Sequence, residues 1–159
     1  MRRKYPLLII LFFVCSYSYA QSLSFENLLS LTSMSSAQAH DFLIVAKGFK
    51  ATGTQAVNGK NMEEYKIIHG TADKSETILI GESIKSVNES VSRPVIYNTT
   101  QESDIDNLLT EARKSQLTQI FQGADLNRNI YRFDNSLFRV AVSIAFDKKW
   151  GSVDVQQKE

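Results

Sequence analysis

The order of hydrophobic and polar positions along the chain predicts three helices. A short helix is expected over residues 25–31, directly after Ser24. Ser35 and Gln38 have the spacing of a capping box, so a second helix should begin there. Its residues Ala39, Phe42, Leu43 and Ala46 should lie on one face. Gly48 predicts the end of that helix. A third helix is expected over residues 103–114, with an apolar stripe, acidic residues in its first turn and basic residues in its last.

Alternating apolar residues predict strands in two groups. The first group comprises residues 62–68, 76–80 and 94–98, with a short strand expected at 49–52, and the second comprises residues 117–121, 130–133, 138–146 and 151–156. The segment 53–61 is interpreted as turn-rich and 70–75 as a connection. Because proline cannot donate to a central ladder, Pro94 predicts that its strand begins at a sheet edge.

Helices followed by strands predict an α+β fold with the helices packed on one face of an antiparallel sheet. Residues 21–159 are expected to form a single domain. The segment from Phe25 to Leu29 resembles the segment from Ile105 to Leu109, which suggests two tandem repeats over residues 24–98 and 101–157. One continuous domain with two unrelated helices would give a similar pattern, so both interpretations stay open.

The first 20 residues have the organisation of a secretory signal peptide. Arg2, Arg3 and Lys4 precede a short apolar run, and small residues lead to a predicted cleavage after Ala20. A membrane anchor would need about 20 consecutive apolar residues, and the run is shorter than that. The mature chain is therefore expected to be periplasmic or extracellular, with no stable membrane anchor.

Removal of this leader changes the charge and the cysteine count. Three of the 18 basic residues are lost, which leaves 15 against 17 acidic residues and a net charge of −2. Cys15, the single cysteine, is also lost, which excludes disulfides and thiol catalysis in the mature chain. A mildly acidic domain has no strong field for nucleic acid, so no nucleic-acid partner is expected.

One segment resembles a known group of secreted proteins. The run from Ser33 to Gln38, which leads through Leu43 to Gly48 and Phe49 and then into strands, is similar to the helix-turn-helix entry of small exported modules of the β-lactamase inhibitory protein type. The resemblance covers only this entry and the tandem architecture, and Ser33 stands where that family usually has glycine. It implies a binding surface on an exposed sheet and no catalysis, and no contact residue can be carried over.

The histidines and carboxylates do not form a catalytic motif in the sequence. His40 and His69 are interpreted as surface or helix-end residues, because no His-Glu-x-x-His or Gly-x-Ser-x-Gly pattern accompanies them. Asp104 and Asp106 face different directions on a helix and suit its first turn electrostatically. The sequence therefore indicates no catalytic residue, no cofactor-binding residue and no metal ligand.

Two loops partly match ligand-binding motifs. The segment from Gly53 to Lys60 differs from a phosphate-binding loop in glycine spacing and is followed by Asn61 instead of serine or threonine. Asp125, Asn127 and Asn129 occupy the first, third and fifth positions of a calcium loop, but its sixth and twelfth positions lack the required glycine and glutamate. Both segments are interpreted as polar turns, as is the cluster from Lys148 to Trp150.

The leading hypothesis is an exported, non-enzymatic binding module of the bacterial envelope. A sheet face, or the loops at residues 53–60 and 123–129, would contact a protein or peptide partner. One alternative is an inhibitor of a secreted enzyme. Another is a small envelope hydrolase whose site is assembled from distant residues, for which His40 or His69 should lie in a pocket near a carboxylate or hydroxyl.

Overall fold

The computed structural model describes residues 23–70, 74–85 and 91–158, so the predicted leader lies outside the described residues. Its helices are α1 (Phe25–Leu31), α2 (Ser36–Asp41) and α3 (Glu102–Lys114), and a π-helical turn over Phe42–Ala46 extends α2. Its strands are β1 (Lys50–Val57), β2 (Lys60–Ile68), β3 (Ser75–Gly81), β4 (Ile84–Lys85), β5 (Val91–Ser92), β6 (Val95–Thr99), β7 (Thr118–Ala124), β8 (Arg128–Asp134), β9 (Phe138–Ala145) and β10 (Gly151–Gln157). The predicted α+β class is confirmed.

Within the described ranges, eight strands form one antiparallel sheet, the main sheet, in the order β1-β2-β3-β6-β10-β9-β8-β7. β4 and β5 pair separately with each other. The first half of the chain thus supplies the four strands on one side and the second half the four on the other, and the halves meet where β6 pairs with β10. The tandem repeat itself stays a prediction.

All three described helices pack on one face of the main sheet, here called the helix face. Tyr65, Tyr97 and Phe133 point from the strands into this layer and are almost fully buried. Leu28 and Leu43 meet them from α1 and from the π-helical turn, and neither has any exposed surface. Burial of one such leucine side chain contributes about 1.5–3 kcal/mol, which makes this layer the main source of stability.

Pro94 does not mark a sheet edge, contrary to the prediction. β6 lies in the middle of the main sheet, between β3 and β10. Pro94 precedes the first residue of β6, and its carbonyl accepts a hydrogen bond of 2.9 Å from the Gly81 amide. A proline at that position removes no donor from the ladder, so a central strand can follow it.

The second helix begins as predicted but ends differently. Ser35 and Gln38 form the expected capping box, and Gly48 follows with a φ of 76°. The Lys47 amide, however, bonds to the Phe42 carbonyl at 3.1 Å, five residues back. The sequence predicts that Ala46 shares the buried face of Leu43. Because the wider turn rotates the last residues, Ala46 is instead exposed.

The segment 53–61 is mostly strand, contrary to the expectation of a turn-rich stretch. β1 continues to Val57, and the chain reverses at Asn58 and Gly59, which have φ values of 50° and 76°. Positive φ at both positions suits a tight hairpin turn. β1 is a polar edge strand that is almost entirely exposed, so it lacks the apolar alternation by which strands are recognised.

Candidate functional site

The face of the main sheet opposite the helices is not covered by any described helix, and we call it the open face. Residues paired directly across neighbouring strands point to the same side of a sheet, so the register defines which side chains lie on it. One cross-strand row spans it, composed of Glu64, Leu79, Ile96, Asp154, Ala141, Arg132 and Phe121. This row joins both halves of the chain.

A cleft of about 280 Å³ opens on this face beside the turn between β1 and β2. Met62 of β2, Pro94 and Ile96 of β6 give it apolar walls, and Ile84 of the small β4-β5 pair lies against it. Lys60 and Asp154 contribute the charges. Its lining combines apolar walls with a few polar groups, which is the usual composition of a small binding cleft.

Asp154 is the unusual group in this cleft, which we call the Asp154 cleft. Its strand neighbours in the row are Ile96 and Ala141, neither of which can bond to a carboxylate through its side chain. Among the described residues it receives one long hydrogen bond, 3.5 Å from Gln156 Nε2, and no cation pairs with it. Burial raises the pKa of Asp154 above its ordinary value. The charged carboxylate would therefore be stabilised by an incoming cation.

At the other end of the row, Phe121 lies exposed on the edge strand β7. The Arg132 guanidinium stacks 5.5 Å from its ring centroid, which is within range of a cation-π contact. The ring also covers Gly123, where an added Cβ would come within 2.6 Å of Phe121 Cζ. Phe121 is therefore held in place by both neighbours although 47% of it is exposed.

Basic side chains outnumber acidic ones on the open face. The register of the described strands places six basic residues there, namely Lys50, Lys60, Lys66, Arg128, Arg132 and Arg139, and three acidic ones, namely Glu64, Asp134 and Asp154. Asp134 is also paired with Lys158 at 2.6 Å. The net charge of this face is thus opposite in sign to that expected for the mature chain, which concentrates positive potential on one side.

His69 and Glu76 lie together on the helix face. His69 Nε2 is 2.6 Å from Glu76 Oε1, and the Tyr97 hydroxyl donates to Glu76 Oε2 at 2.8 Å. Glu76 and Tyr97 are almost fully buried, whereas 29% of the His69 side chain is exposed. Burial, followed by the charge of Glu76, raises the pKa of Tyr97. Tyr97 therefore remains a protonated donor and stabilises the buried carboxylate.

His40 belongs to a second network on the helix face. Its Nδ1 lies 3.3 Å from the Tyr65 hydroxyl, which donates to Glu63 Oε2 at 2.8 Å. Burial and the Glu63 carboxylate raise the pKa of Tyr65 to about 12. Both histidines thus meet the hydrogen-bond condition set for a hydrolase, but neither lines the Asp154 cleft or the other described clefts.

The two loops proposed from the sequence lie far apart. The turn at Asn58 and Gly59 connects β1 and β2 and borders the Asp154 cleft. It lies at the end of the main sheet where Val155 of β10 is located. The turn at residues 125–127 connects β7 and β8 at the end marked by Gly151. They occupy diagonal corners, so they do not form one site.

The remaining sequence candidates have structural partners. Asp104 is buried and accepts from Gln101 Nε2 at 3.0 Å, and burial followed by the Glu76 charge raises its pKa. Asp106 binds Lys148 at 3.2 Å. Asp125 accepts the Leu126 amide at 2.7 Å and Arg128 at 3.3 Å within its turn. The described residues contain no cluster of three or more histidine, cysteine, aspartate or glutamate side chains that could hold a metal ion.

No sequence pattern marks Asp154 or Arg93 as a functional residue. Asp154 alternates with Val153 and Val155 and so resembles an ordinary outward-facing strand residue. Its apolar neighbour Ile96 is distant in sequence, so only the register shows that the carboxylate is partly desolvated. Arg93 stands before Pro94 without any local motif, yet only 2% of it is exposed.

The chain was compared with protein-family models, with curated proteins and with solved structures, and none of the three comparisons gave a match. The resemblance to the β-lactamase inhibitory protein type therefore stays a prediction. In the part of the chain that the structure describes, no helix has the length and apolar character required to cross a membrane.

Proposed function

We propose that this protein is an exported, non-enzymatic binding module whose open face contacts a protein partner. The export part rests on the leader sequence. The binding part rests mainly on one observation, the row of residues that crosses the open face and includes the Asp154 cleft. Exposed faces that combine apolar groups with unpaired polar groups are typical interaction surfaces.

The cleft suits a basic side chain of the partner. The methylene groups of a lysine or arginine would lie against Met62 and Ile96, and the cationic end would meet Asp154. This contact would supply the cation that Asp154 lacks among its described neighbours and would stabilise its charged form. A fully apolar side chain would leave the carboxylate desolvated, which is the less favourable arrangement.

The surrounding surface favours acidic groups on the partner. The excess of basic residues on the open face would attract an acidic protein surface and orient its approach. Phe121 would supply an exposed aromatic contact at the far end of the row. We therefore propose a partner whose acidic surface carries one projecting lysine or arginine.

The proposal is tested by affinity capture from envelope extract with the tagged chain, expressed with its leader. Asp154→Lys should reduce recovery of a stoichiometric partner by at least about tenfold, because it places a like charge against the inserted cation. Glu26→Lys, an equal charge change on an exposed position of α1, is the matched control and should leave recovery unchanged.

Three results would contradict this function. Equal capture by Asp154→Lys and the unmodified chain would exclude the cleft, and loss of capture only in Glu26→Lys would assign binding to the helix face. Turnover of hydrolase substrates that disappears in His40→Ala or His69→Ala would replace the binding module with an enzyme.

A further inference from the structure

The helix face carries a second cleft, separate from the open face. It has a volume of about 530 Å³ and lies between the first residue of α2 and the adjacent ends of β2 and β3. Its polar lining includes Ser36, Thr54, Asn61, Glu63, Glu82 and Arg93. Thr54, Glu63 and the buried Ile80 pair directly across β1, β2 and β3, which places the cleft on the same side as the core. We call it the Arg93 cleft.

Arg93 is a buried cation with few partners in the described part of the chain. One guanidinium nitrogen donates to Ser36 Oγ at 3.3 Å, and Nε has no hydrogen-bond partner. No described carboxylate forms an ion pair with it. A desolvated guanidinium without an anion is strongly unfavourable, and it has five donors in a planar fork that matches a carboxylate. This arrangement points to a ligand that brings an anionic group.

The position of Arg93 is fixed by the backbone. Its amide donates to the Thr32 carbonyl at 3.0 Å, in the turn between α1 and α2, and Thr32 has no exposed surface. The side chain is thereby directed between that turn and the main sheet, where it lines the cleft together with Ser36. Such preorganisation lowers the entropy that binding would otherwise cost.

The other charges in the cleft restrict the ligand. Glu63 and Glu82 line the same space, and Glu63 is held by the Tyr65 hydroxyl at 2.8 Å. Two carboxylates would repel a phosphate or another multiply charged anion, and a simple cation would make no use of Arg93. A molecule with one carboxylate and one ammonium group satisfies both kinds of charge.

We propose that the Arg93 cleft binds a small zwitterion of the α-amino acid class. Its carboxylate binds Arg93 and the Ser36 hydroxyl, and its ammonium group lies between Glu63 and Glu82 and binds both. The volume is within the range of clefts that hold small molecules. This site uses neither the open face nor Asp154, so it stands independently of the proposed function.

The test is a thermal-shift screen of the exported chain with each of the common α-amino acids at millimolar concentration. A molecule that binds only the folded state raises Tm, and titration calorimetry then gives its Kd. The best amino acid is compared with its N-acetyl form, which lacks the ammonium group, and with its amide, which lacks the carboxylate. Each should bind at least about tenfold more weakly, the loss expected for one charged hydrogen bond.

Two variants and a control locate the site. Arg93→Gln should abolish binding, and exposed Glu82→Gln, which should not affect folding, should weaken it at least about tenfold. Arg139→Gln, which changes an exposed arginine on the open face, should bind as the unmodified chain does. If Arg93→Gln does not fold, the Glu82→Gln result decides.

The proposal is overturned if no amino acid changes Tm. It is also overturned if the N-acetyl form binds as tightly as the free amino acid, which would indicate a simple anion site, or if Glu82→Gln leaves the Kd unchanged.

Discussion

Glu76→Ala should lower the free energy of unfolding by about 1.5–3 kcal/mol, the usual cost of removing a hydrogen bond to a charged group. Glu76 has 1% of its surface exposed and holds the Tyr97 hydroxyl at 2.8 Å and His69 at 2.6 Å. The truncation removes the hydrogen bond from Tyr97, worth about 1.5–3 kcal/mol to a charged acceptor. This figure includes the cost of leaving the fully buried Tyr97 hydroxyl without its acceptor.

The two partners of Glu76 should contribute unequally. Tyr97→Phe should cost about 1.5–3 kcal/mol, because it leaves a buried carboxylate oxygen without its donor. His69→Ala should cost at most about 1 kcal/mol, since 29% of the His69 side chain is exposed and solvent screens the contact. Burial determines this ranking, and distance does not. The contact from His69 to Glu76 is shorter than the contact from Tyr97, but it contributes less because His69 is partly exposed.

The assay is urea unfolding of the single variants and of Glu76→Ala/Tyr97→Phe at neutral pH. The double variant should be more stable than the summed single effects imply, with a coupling of about 0.5–3 kcal/mol. A loss below about 1 kcal/mol in Glu76→Ala, or a larger loss in His69→Ala than in Tyr97→Phe, would refute the interpretation of this network as a structural element.

Three further predictions concern stability. The raised pKa of Asp154 means that the folded state holds its proton more tightly than the unfolded state, so this group's contribution to stability is lost as pH rises through the folded pKa. Asp154→Asn should therefore raise Tm at neutral pH, with a gain that shrinks toward pH 4, about the pKa of an unperturbed aspartate; an equal gain at all pH values would contradict this. Gly151→Ala should lower the free energy of unfolding in urea by about 1–3 kcal/mol, because the added Cβ would lie 2.7 Å from Ile105 Cγ1. An unchanged free energy would show that α3 moves freely. Ser35→Ala should cost about 1 kcal/mol, measured in the same way, by removing the capping box of α2, whereas Ser33→Ala at an exposed neighbouring hydroxyl should cost less.

The local pattern of apolar and polar residues was sufficient to predict most of the helices and strands. Ser35 and Gln38 identified the start of α2, and the apolar stripe of α3 identified a helix that the structure bounds at Glu102 and Lys114. The alternation along β9 likewise predicted a strand with one buried face. These signals are local, because hydrogen bonds and side-chain periodicity within one segment determine them.

Most of the predictions about the fold that were wrong concern segments whose structure depends on neighbouring strands. β1 is an exposed edge strand, and only its pairing with β2 distinguishes it from a polar loop. Pro94 is compatible with a central strand because its position lies just outside the ladder, which the residue type alone does not indicate. In α2, the Lys47 to Phe42 hydrogen bond changes the helical phase without a sequence signal.

The candidate sites depend even more on distant residues. Asp154 lies between Ile96 and Ala141, which are on adjacent strands and distant in sequence. Arg93 likewise contacts Ser36, which is far from it in sequence. A charged residue in a strand usually points to solvent, so the sequence alone predicts neither the burial of these two groups nor the lack of an ion pair to them from any described residue. The sequence predicted the α+β fold with its antiparallel sheet. The binding module stays a prediction, and the sequence does not indicate where on the sheet a partner would bind.

The most direct test of the central claim is site-specific photo-crosslinking in cells that express the full chain. A crosslinking amino acid is placed at Thr77 or Arg139 on the open face, and at Glu26 or Thr110 on the helix side. Partner binding at the open face should give one common protein adduct from both open-face positions, and Asp154→Lys should abolish this adduct. The same adduct from Glu26 and Thr110, with none from Thr77 and Arg139, would contradict this claim.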